Sequence, residues 1–328
     1  MIRFLLRRLL WFAVTLWTVV TISFFLMRSV QGGPFSADRA LHPAIEKSLR
    51  ARYHLDWPMW KQYAQYVGPL NLDKHGAEFL GGDGTRPWTG VLVGDLGPSF
   101  KYRDFTVNDI IAQSLPISIA LGSIALLFAL TLGLGAGILS ALYRGTRVDL
   151  GLRLGATLGI ALPNFVIAFF LILLFVFRWE LFPLAGWGTL RHLVLPGAAL
   201  GAPFAAYIAR LTRTGMLEVL SQDYIRTAHA KGLAPRTVLL RHALKGALLP
   251  VISYLGPATA GILTGSLVIE RIFAIPGTGS HFVNSALNRD YTLSMGVTIL
   301  YTVLVYALNA LVDLAYTFLD PRIRLEEI

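Results

Sequence analysis

The sequence of 328 residues contains no cysteine. This excludes disulfide bonds, thiolate metal sites and thiol nucleophiles. Charged residues are scarce as well, because Asp, Glu, Lys and Arg make up only 15% of the chain, whereas soluble domains carry about 25%. The apolar residues stand in long runs rather than in short alternating patterns, so the composition predicts an integral membrane protein.

Sequence motifs of catalytic and nucleotide-binding sites are also missing. There is no GxxxxGK(S/T) loop for ATP, no G-x-S-x-G nucleophile elbow and no HExxH zinc motif, and the histidines show no other ligand spacing. The GLGAG stretch at 133–137 lies inside an apolar run instead of at a strand–helix turn, so it does not predict a phosphate loop. We therefore expect no catalytic residue, no metal site and no bound cofactor on this chain.

What the sequence does contain is a set of apolar stretches long enough to cross a bilayer, which takes about 20 helical residues. We predict an all-α membrane protein with six transmembrane helices, approximately at 9–27, 115–142, 154–177, 193–208, 246–269 and 292–311. None of these stretches contains Asp, Glu, Lys, Arg or His. Ion-coupled carriers usually place ionisable groups at membrane depth, so the spans predict a conduit without an energy source of its own.

The net charge of +10 is best explained by membrane topology, and we expect no nucleic-acid partner. Arginine and lysine concentrate at the N-terminus, after the second and fourth stretches and in the tail, which places both termini in the cytoplasm. The predicted domains are a transmembrane anchor at 1–28, an extracytoplasmic segment at 29–112, a five-helix core at 113–320 with a basic cytoplasmic loop at 211–245, and a cytoplasmic tail at 321–328. A cleaved signal peptide is the alternative for the first stretch, but no A-x-A-like site follows it.

Small residues recur at four-residue spacing inside the stretches or directly beside them, which predicts close helix–helix packing. These residues are Gly133 and Gly137, Gly151, Gly155 and Gly159, and Gly261 and Gly265. Ordinary tight packing is one interpretation, and helices that slide during a transport cycle are the other. Pro163, in the middle of the third stretch, predicts a kink.

The extracytoplasmic segment begins with a helical pattern that carries aromatic residues. They are Tyr53, Trp57, Trp60, Tyr63 and Tyr66. Trp and Tyr often lie at the membrane–water boundary, so we interpret them as membrane anchors. The stretch from 68 to 97 is rich in Gly and Asp and predicts a loop.

The basic loop contains the stretch RTAHAKGLAPRTVLLRHALKGALLP at 226–250. Before and into it, a helical stripe over 214–231 is formed by Met216, Leu217, Leu220, Tyr224 and Ala228. Gly232 stands where a left-handed C-terminal cap belongs, and Pro235 suits the first turn of a second helix. The apolar side of that second helix is predicted at Val238, Leu239, Leu240, Ala243 and Leu244. Such a helix–turn–helix either lies on anionic lipid or docks a cytoplasmic partner, and the ordered turn favours docking.

This loop resembles the EAA loop of ABC importer permeases, whose pattern is E-A-A-x3-G followed by an apolar helix. Gly232 matches the glycine and Ala228 the second alanine, whereas Arg226 and Thr227 stand at the Glu and first Ala positions. These departures match the peptide-permease version, R-T-A-x-A-K-G-L. Four further stretches resemble the B-type permease subunit of oligopeptide importers: GDLGPSFKYRDFTVNDII at 94–111, GPATAGILTGSLVIERIFAIPGTG at 256–279, FVNSALNRDY at 282–291 and NALVDLAYTFLDPRIR at 309–324.

The resemblance implies a type I ABC importer permease of the bacterial cytoplasmic membrane that carries oligopeptides, with dipeptides or nickel chelates as open alternatives. It implies four kinds of partner: a second, C-type permease, one or two cytoplasmic ABC ATPases that hold ATP and Mg, an extracytoplasmic peptide-binding protein, and the lipid bilayer. The loop at 211–245, named the coupling segment below, would seat in an ATPase. The docking residues implied are Asp223, Tyr224, Arg226, Thr227, Ala228, Lys231, Gly232, Leu233 and Arg236.

A second candidate site lies at the outer end of the fifth stretch and comprises Glu270, Arg271, Pro276 and Gly277. It is either a helix boundary with a turn, or an extracytoplasmic gate or contact for the binding protein. Near the other end of the last stretch, Asp313 is expected to form a cap or to pair with Arg322 or Arg324, and a substrate site is the alternative. Two other functional classes compete with the importer: an autonomous channel or ion-coupled carrier, and a membrane-anchored signalling or assembly protein.

Overall fold

The computed structural model describes residues 2–29, 34, 43–68, 90–102, 105–265 and 267–319. Over these residues the chain is helical and forms no β-strand, in agreement with the predicted all-α class. The helices are α1 (Ile2–Ser29), α2 (Pro43–Arg52), α3 (Met59–Val67), α4 (Val107–Leu142), α5 (Arg147–Ala161), α6 (Asn164–Leu171), α7 (Arg191–Leu220), α8 (Asp223–Ala230), α9 (Pro235–Thr237), α10 (Leu244–Ala247), α11 (Leu249–Gly265), α12 (Leu267–Ile272), α13 (Thr278–Leu287) and α14 (Tyr291–Leu319).

Five of the six predicted spans correspond to helical segments that are long and apolar enough to cross a bilayer. Within the described ranges these segments are Leu6–Ser29, Val107–Leu142, Arg191–Leu220, Leu249–Ile272 and Tyr291–Leu311. The predicted tail at 321–328, the pairing of Asp313 with Arg322 or Arg324, and most of the loop predicted at 68–97 lie outside the described residues.

The third predicted span is a broken pair of helices rather than one kinked helix. Helix α5 ends at Ala161, and α6 continues as a π-helix from Ile172 to Arg178. The two halves are bent by 113°. The break arises because Leu162, the residue before Pro163, takes an extended conformation with φ −84° and ψ 130°, as residues before proline generally do. The predicted kink is therefore corrected to a break, and the described residues contain five spans, or six where the bent pair is taken as one span.

The fourth span is much longer than predicted, because α7 runs from Arg191 to Leu220 with Pro196 and Pro203 inside it. In its most apolar stretch of 18 residues, 67% of the residues are buried inside the protein. Prolines are tolerated in such helices because neighbouring helices and local adjustments satisfy the freed backbone groups. The first ten residues of the predicted cytoplasmic loop are consequently the last turns of α7.

One of the two compact units of the chain comprises Met1–Ile117 and Pro276–Leu304. Its core is built around the outer half of α1 and the first turns of α14. The buried residues of this core are Val20, Phe24, Tyr53, Tyr66, Phe100, Tyr291, Met295 and Ile299. Tyr53 and Tyr66 are 7% and 0% exposed, so their interpretation as membrane anchors is wrong: they pack inside the protein.

A buried carboxylate organises this unit. Asp290 is 1% exposed and accepts hydrogen bonds from the hydroxyl of Ser99 and from the backbone N–H groups of Phe100 (3.1 Å) and Lys101 (3.3 Å). The same side chain accepts the N–H of Leu293 in the first turn of α14 at 3.2 Å. The segment before α4 is thereby fastened to the start of α14.

The other unit comprises Ser118–Ile275 and Val305–Ile328, and small residues set its packing. A Cβ atom at Gly137 of α4 would lie 2.5 Å from the Cβ of Thr212 and 2.6 Å from the carbonyl oxygen of Ala209. A Cβ atom at Gly133 would likewise lie 2.8 Å from the carbonyl oxygen of Ala205 in α7. The predicted tight packing is confirmed at both glycines, since the backbone of α4 lies directly against backbone and side-chain atoms of α7.

The second predicted glycine stripe behaves differently. A Cβ atom added at Gly159 would lie 2.8 Å from the Cβ of Ala206. A Cβ atom added at Gly151 or Gly155 would meet no described atom within 4 Å apart from its own helix. The prediction of tight packing is therefore wrong at those two positions within this chain. Gly261 meets the ring of Phe204 at 3.3 Å, and the packing of Gly265 lies outside the described side chains.

Candidate functional site

The coupling segment begins inside α7 and leaves the helix at Ser221. There the hydroxyl of Ser221 bonds the carbonyl of Glu218 at 2.7 Å, and Gln222 takes an extended conformation before α8 starts at Asp223. Ser, Asn and Asp side chains favour such helix ends because they compete for backbone groups. The prediction of one helix over 214–231 is therefore wrong.

The break changes which residues face inward. Ile225 is 2% exposed, whereas Tyr224, which was assigned to the apolar stripe, is 50% exposed. The rotation follows from restarting the helical phase at Asp223 instead of continuing it from α7.

Gly232 ends α8 in the predicted left-handed conformation, with φ +73°. Its N–H donates to the carbonyl of His229 at 2.9 Å, and the N–H of Leu233 donates to the carbonyl of Ala228 at 3.4 Å. This pair of bonds is a Schellman motif, which satisfies the free carbonyl groups at a helix end. The predicted C-terminal cap is confirmed.

The second helix of the segment starts at Pro235, as predicted, because Pro235 occupies the first helical turn after an extended Ala234. It continues as a π-helix over Val238–Ala243 and then as α10. Four of its five predicted apolar positions face inward; Leu240, at 62% exposure, does not.

The underside of the coupling segment is a small hydrophobic core of its own. Its buried members are Ala141, Met216, Ile225, Ala228, Val238, Ala243 and Ala247. They come from α4, α7, α8, the π-helix and α10, so the segment is packed on two membrane helices. A Cβ atom at Gly215 of α7 would lie 2.5 Å from the carbonyl oxygen of Ala247, which shows how closely the returning chain approaches α7. Side-chain burial of this kind holds the segment in one orientation.

The opposite face of the segment is exposed and carries several charged side chains. Of the nine predicted docking residues, eight are exposed: Asp223, Tyr224, Arg226, Thr227, Lys231, Gly232, Leu233 and Arg236. The ninth, Ala228, is 6% exposed and belongs to the hydrophobic underside. Asp223 and Arg226 pair at 3.4 Å with side chains that are 94% and 77% exposed, and such exposed pairs contribute little stability. The docking role of the set stays a prediction.

An ion pair below the coupling segment was not anticipated from the sequence. Arg213 of α7 donates from Nε and Nη2 to the two carboxylate oxygens of Asp149 in α5, each at 2.9 Å. Asp149 also accepts the hydroxyl of Ser140 at 2.6 Å and the N–H of Gly145 at 3.0 Å. We call these four residues the Asp149 clasp. It joins the end of α4, the turn to α5 and the part of α7 from which the coupling segment extends.

A local signal for the clasp was present in the sequence. Thr146 caps α5 and receives the N–H of Asp149, which is the pattern of a Ser or Thr followed three residues later by an acid. The partner was not visible, because Arg213 is 64 positions away and counts in sequence only as a basic residue near a membrane span.

At the outer end of the fifth span, Glu270 is 0% exposed. Its carboxylate accepts the hydroxyl of Ser118 at 2.8 Å. Arg271, the next residue, is exposed. The chain then turns through Ala274, which has a positive φ of 49°, and the N–H of Gly186 donates to the carbonyl of Phe273 at 2.9 Å. The boundary and turn expected here are present, while a contact with another protein stays a prediction.

The other two residues of that candidate site precede α13. Pro276 is exposed, and Gly277 is buried at the N-terminal end of α13. The carbonyl of Gly277 accepts the hydroxyl of Ser280 at 2.8 Å. Among the described residues, no group of three His, Asp or Glu side chains could hold a metal ion.

Comparison with known proteins identifies the family. The protein-family model described as "Binding-protein-dependent transport system inner membrane component" matches residues 133–325, and the corresponding N-terminal family model matches residues 1–122. The chain belongs to the oligopeptide/dipeptide family of ABC importer permeases, as a B-type subunit. This permease is accordingly a multi-pass protein of the bacterial inner membrane.

Its similarity to curated permeases extends over the full length. The oligopeptide transport system permease protein OppB of Haemophilus influenzae is 46% identical over 99% of this chain and 100% of that protein. The dipeptide transport system permease protein DppB of Bacillus subtilis is 43% identical over 100% of this chain and 99% of that protein.

The fold of the permease also has a solved counterpart. A chain of the inward-facing MetNI methionine ABC transporter aligns with a TM-score of 0.55, covering 64% of this chain and 96% of that chain at 16% identity. Identity at that level supports the type I importer permease fold alone.

Proposed function

We propose that this chain is one of the two membrane subunits of an ATP-driven peptide importer. It forms half of the translocation pathway, and a homologous C-type permease forms the other half. An extracytoplasmic peptide-binding protein delivers the cargo. The full-length similarity to OppB and DppB permeases supports this assignment.

The observation that carries the coupling role is the two-sided construction of the coupling segment. Its inner face is buried against α4 and α7, and its outer face presents exposed Arg226, Lys231 and Arg236. A surface that is fixed to membrane helices from below can transmit the movement of a docked ATPase as a rigid-body movement of those helices. The closing of the ATPases on ATP and the opening of the pathway are then coupled equilibria.

The chain itself transmits movement and carries no catalytic residues. ATP and Mg belong to one or two different cytoplasmic ABC ATPases that dock on the coupling segment. Photolabelling of the assembled importer with an azido-ATP analogue should therefore label the ATPases and leave this chain unlabelled.

Reconstitution tests the function directly. The chain is purified with its partner permease and ATPases, placed in liposomes with the peptide-binding protein outside, and supplied with ATP inside. Labelled oligopeptide should accumulate only with ATP and the full set of subunits. Uptake by the chain alone without ATP would favour the autonomous channel or carrier and refute the importer.

A matched pair of charge reversals tests the docking surface. Arg226→Glu lies within the predicted docking set, whereas Arg241→Glu alters an exposed arginine of the same segment outside that set. Arg226→Glu should weaken ATPase binding to the permease pair about tenfold, or about 1.4 kcal/mol, and Arg241→Glu should change it little. Equal effects of the two variants would mean that the segment acts only through its overall charge.

The cargo is proposed as oligopeptides, since OppB permeases are among the relatives, and the DppB relatives keep dipeptides as the alternative. Competition of labelled-oligopeptide uptake by unlabelled dipeptides and by a nickel chelate separates these classes.

A further inference from the structure

Helix α3 exposes large apolar residues at its first turn and buries two glutamines beside Tyr66. It buries Gln62, Gln65 and Tyr66, which are 8%, 2% and 0% exposed, and it exposes Met59 and Trp60 at 41% and 69%. A helix that faces water would turn its apolar residues inward and its polar residues outward. The buried amide of Gln62 is satisfied, because it donates to the carbonyl of Trp57 at 2.7 Å and accepts from Nε of Arg28 at 2.7 Å.

The contacts of α3 place it beside a membrane span instead of above it. The hydroxyl groups of Tyr63 and Thr21 are 2.6 Å apart, and Thr21 lies in the apolar segment Leu6–Ser29 of α1. From Thr21 to Ser29 the helix rises about 12 Å. The segment of 24 residues is only slightly longer than the hydrocarbon thickness of about 30 Å. Tyr63 therefore reaches a depth that is inside the hydrocarbon layer.

The exposed apolar surface runs without a break from α1 to α3. Ile22, Phe25 and Leu26 of α1 are 59%, 43% and 57% exposed, as expected for residues that face lipid. The ring of Phe25 stacks on that of Tyr63 with 5.5 Å between centroids. Lipid that covers Phe25 thus extends onto the helix that carries Trp60.

Helix α2 provides the contrast within the same unit. Its exposed positions include Lys47 and Arg50, and Glu46 pairs with Arg50 at 2.7 Å. Apart from Ile45, which is 51% exposed, the described surface of α2 carries polar or small residues, as in a helix that faces water. The boundary between water and lipid would then fall between α2 and α3.

We propose that α3 is an interfacial helix, inserted in the outer leaflet of the bilayer with Met59 and Trp60 at the boundary between acyl chains and headgroups. Trp is enriched at that depth because its ring is apolar and its N–H can bond to headgroups or water. Lys61, whose Nζ lies 3.5 Å from the centroid of the Trp57 ring, carries a positive charge at the same level, where lipid phosphates lie.

Spin labelling measures this directly, because the chain has no native cysteine. Trp60→Cys, Leu26→Cys and Lys47→Cys are labelled one at a time in the assembled importer in lipid nanodiscs, with cysteine-free partner subunits. Power saturation compares accessibility to oxygen, which concentrates in lipid, with accessibility to a water-soluble nickel chelate. Position 60 should resemble the lipid reference at Leu26 in favouring oxygen, and position 47 should favour nickel.

Two results would overturn the proposal. Preference for nickel at position 60 would place α3 in water, and protection from both reagents would show that a protein covers it. Met59→Cys, on the same exposed face, repeats the measurement if Trp60→Cys does not assemble. As an independent readout, Trp60→Glu should lower the melting temperature of the importer in nanodiscs while Trp60→Phe leaves it nearly unchanged; equal melting temperatures would count against insertion.

Discussion

The guanidinium group of Arg213 donates two hydrogen bonds to the two carboxylate oxygens of Asp149, both with N···O distances of 2.9 Å. The pair is asymmetric, because the Arg213 side chain is 21% exposed and that of Asp149 only 3%. It lies just before the point at which α7 meets the underside of the coupling segment. The Asp149 clasp is therefore placed to hold the base of that segment to the start of α5.

The asymmetry gives the first prediction. Arg213→Met leaves the Asp149 carboxylate without its cation, and removing one partner of such a pair should lower the melting temperature. Asp149→Asn should cost less, because the more exposed arginine can reach solvent. The double variant should be more stable than Arg213→Met alone. Thermal unfolding of the purified permease pair measures all three, and an additive double variant would show that the two side chains do not interact.

The second prediction concerns Gly232. A Cβ at this position meets no described atom within 4 Å, so within this chain the cost of substitution comes from its positive φ. Gly232→Val should strain the turn by about 1–2 kcal/mol, disturb the cap and reduce the coupling of ATP hydrolysis to uptake. Gly232→Asn is the control, since Asn tolerates this conformation. Peptide-stimulated ATPase activity of the reconstituted importer compares them; equal coupling in the two variants would remove Gly232 from the coupling mechanism.

The third prediction separates the inner and outer faces of α8. Ala228→Leu inserts a larger side chain into the buried underside, where overpacking costs about 1–3 kcal/mol, and should displace α8 and lower ATPase binding. Ala230→Leu changes an exposed alanine on the same helix and should be tolerated. Co-purification of the ATPases with each variant is the measurement. If Ala230→Leu were the more damaging, Ala228 would not be a packing residue.

The fourth prediction uses two glycines of α4 that lie two positions apart. Gly137→Ala should destabilise the permease by about 1–3 kcal/mol, because its Cβ would overlap Thr212. Gly135 has open space around it, so Gly135→Ala should be neutral or should stabilise the helix by about 0.5–1 kcal/mol. Resistance of each variant to unfolding in detergent tests the pair. Similar losses would mean that α4 and α7 do not pack as closely as described.

Features that depend on neighbouring residues could be predicted from the sequence. The cap at Gly232 and the helix start at Pro235 follow from local backbone preferences, and long apolar runs identify spans whatever surrounds them. The break at Ser221 was missed because the apolar spacing of α7 happens to continue into α8, so that Tyr224 appeared in the place of Ile225.

Features that depend on distant partners could not be predicted. Tyr66 and Trp60 are both aromatic residues of one short helix, yet one is buried and the other is 69% exposed. Their difference is decided by Phe24 of α1, whose ring centroid lies 5.9 Å from that of Tyr66. For the same reason the predicted docking set lies at the surface, apart from Ala228, whereas the Asp149 clasp beneath it was not predicted.

The Asp290 carboxylate has a consequence for biogenesis. The hydroxyl and N–H groups that it binds at Ser99 and Phe100 are 191 and 190 positions earlier in the chain. Contacts of such separation form late, because the intervening chain must first be made and brought together. With the segment at 29–112 outside the membrane, as the sequence predicts, the region before α4 is translocated before Asp290 is synthesised, and it completes these contacts only when α14 follows.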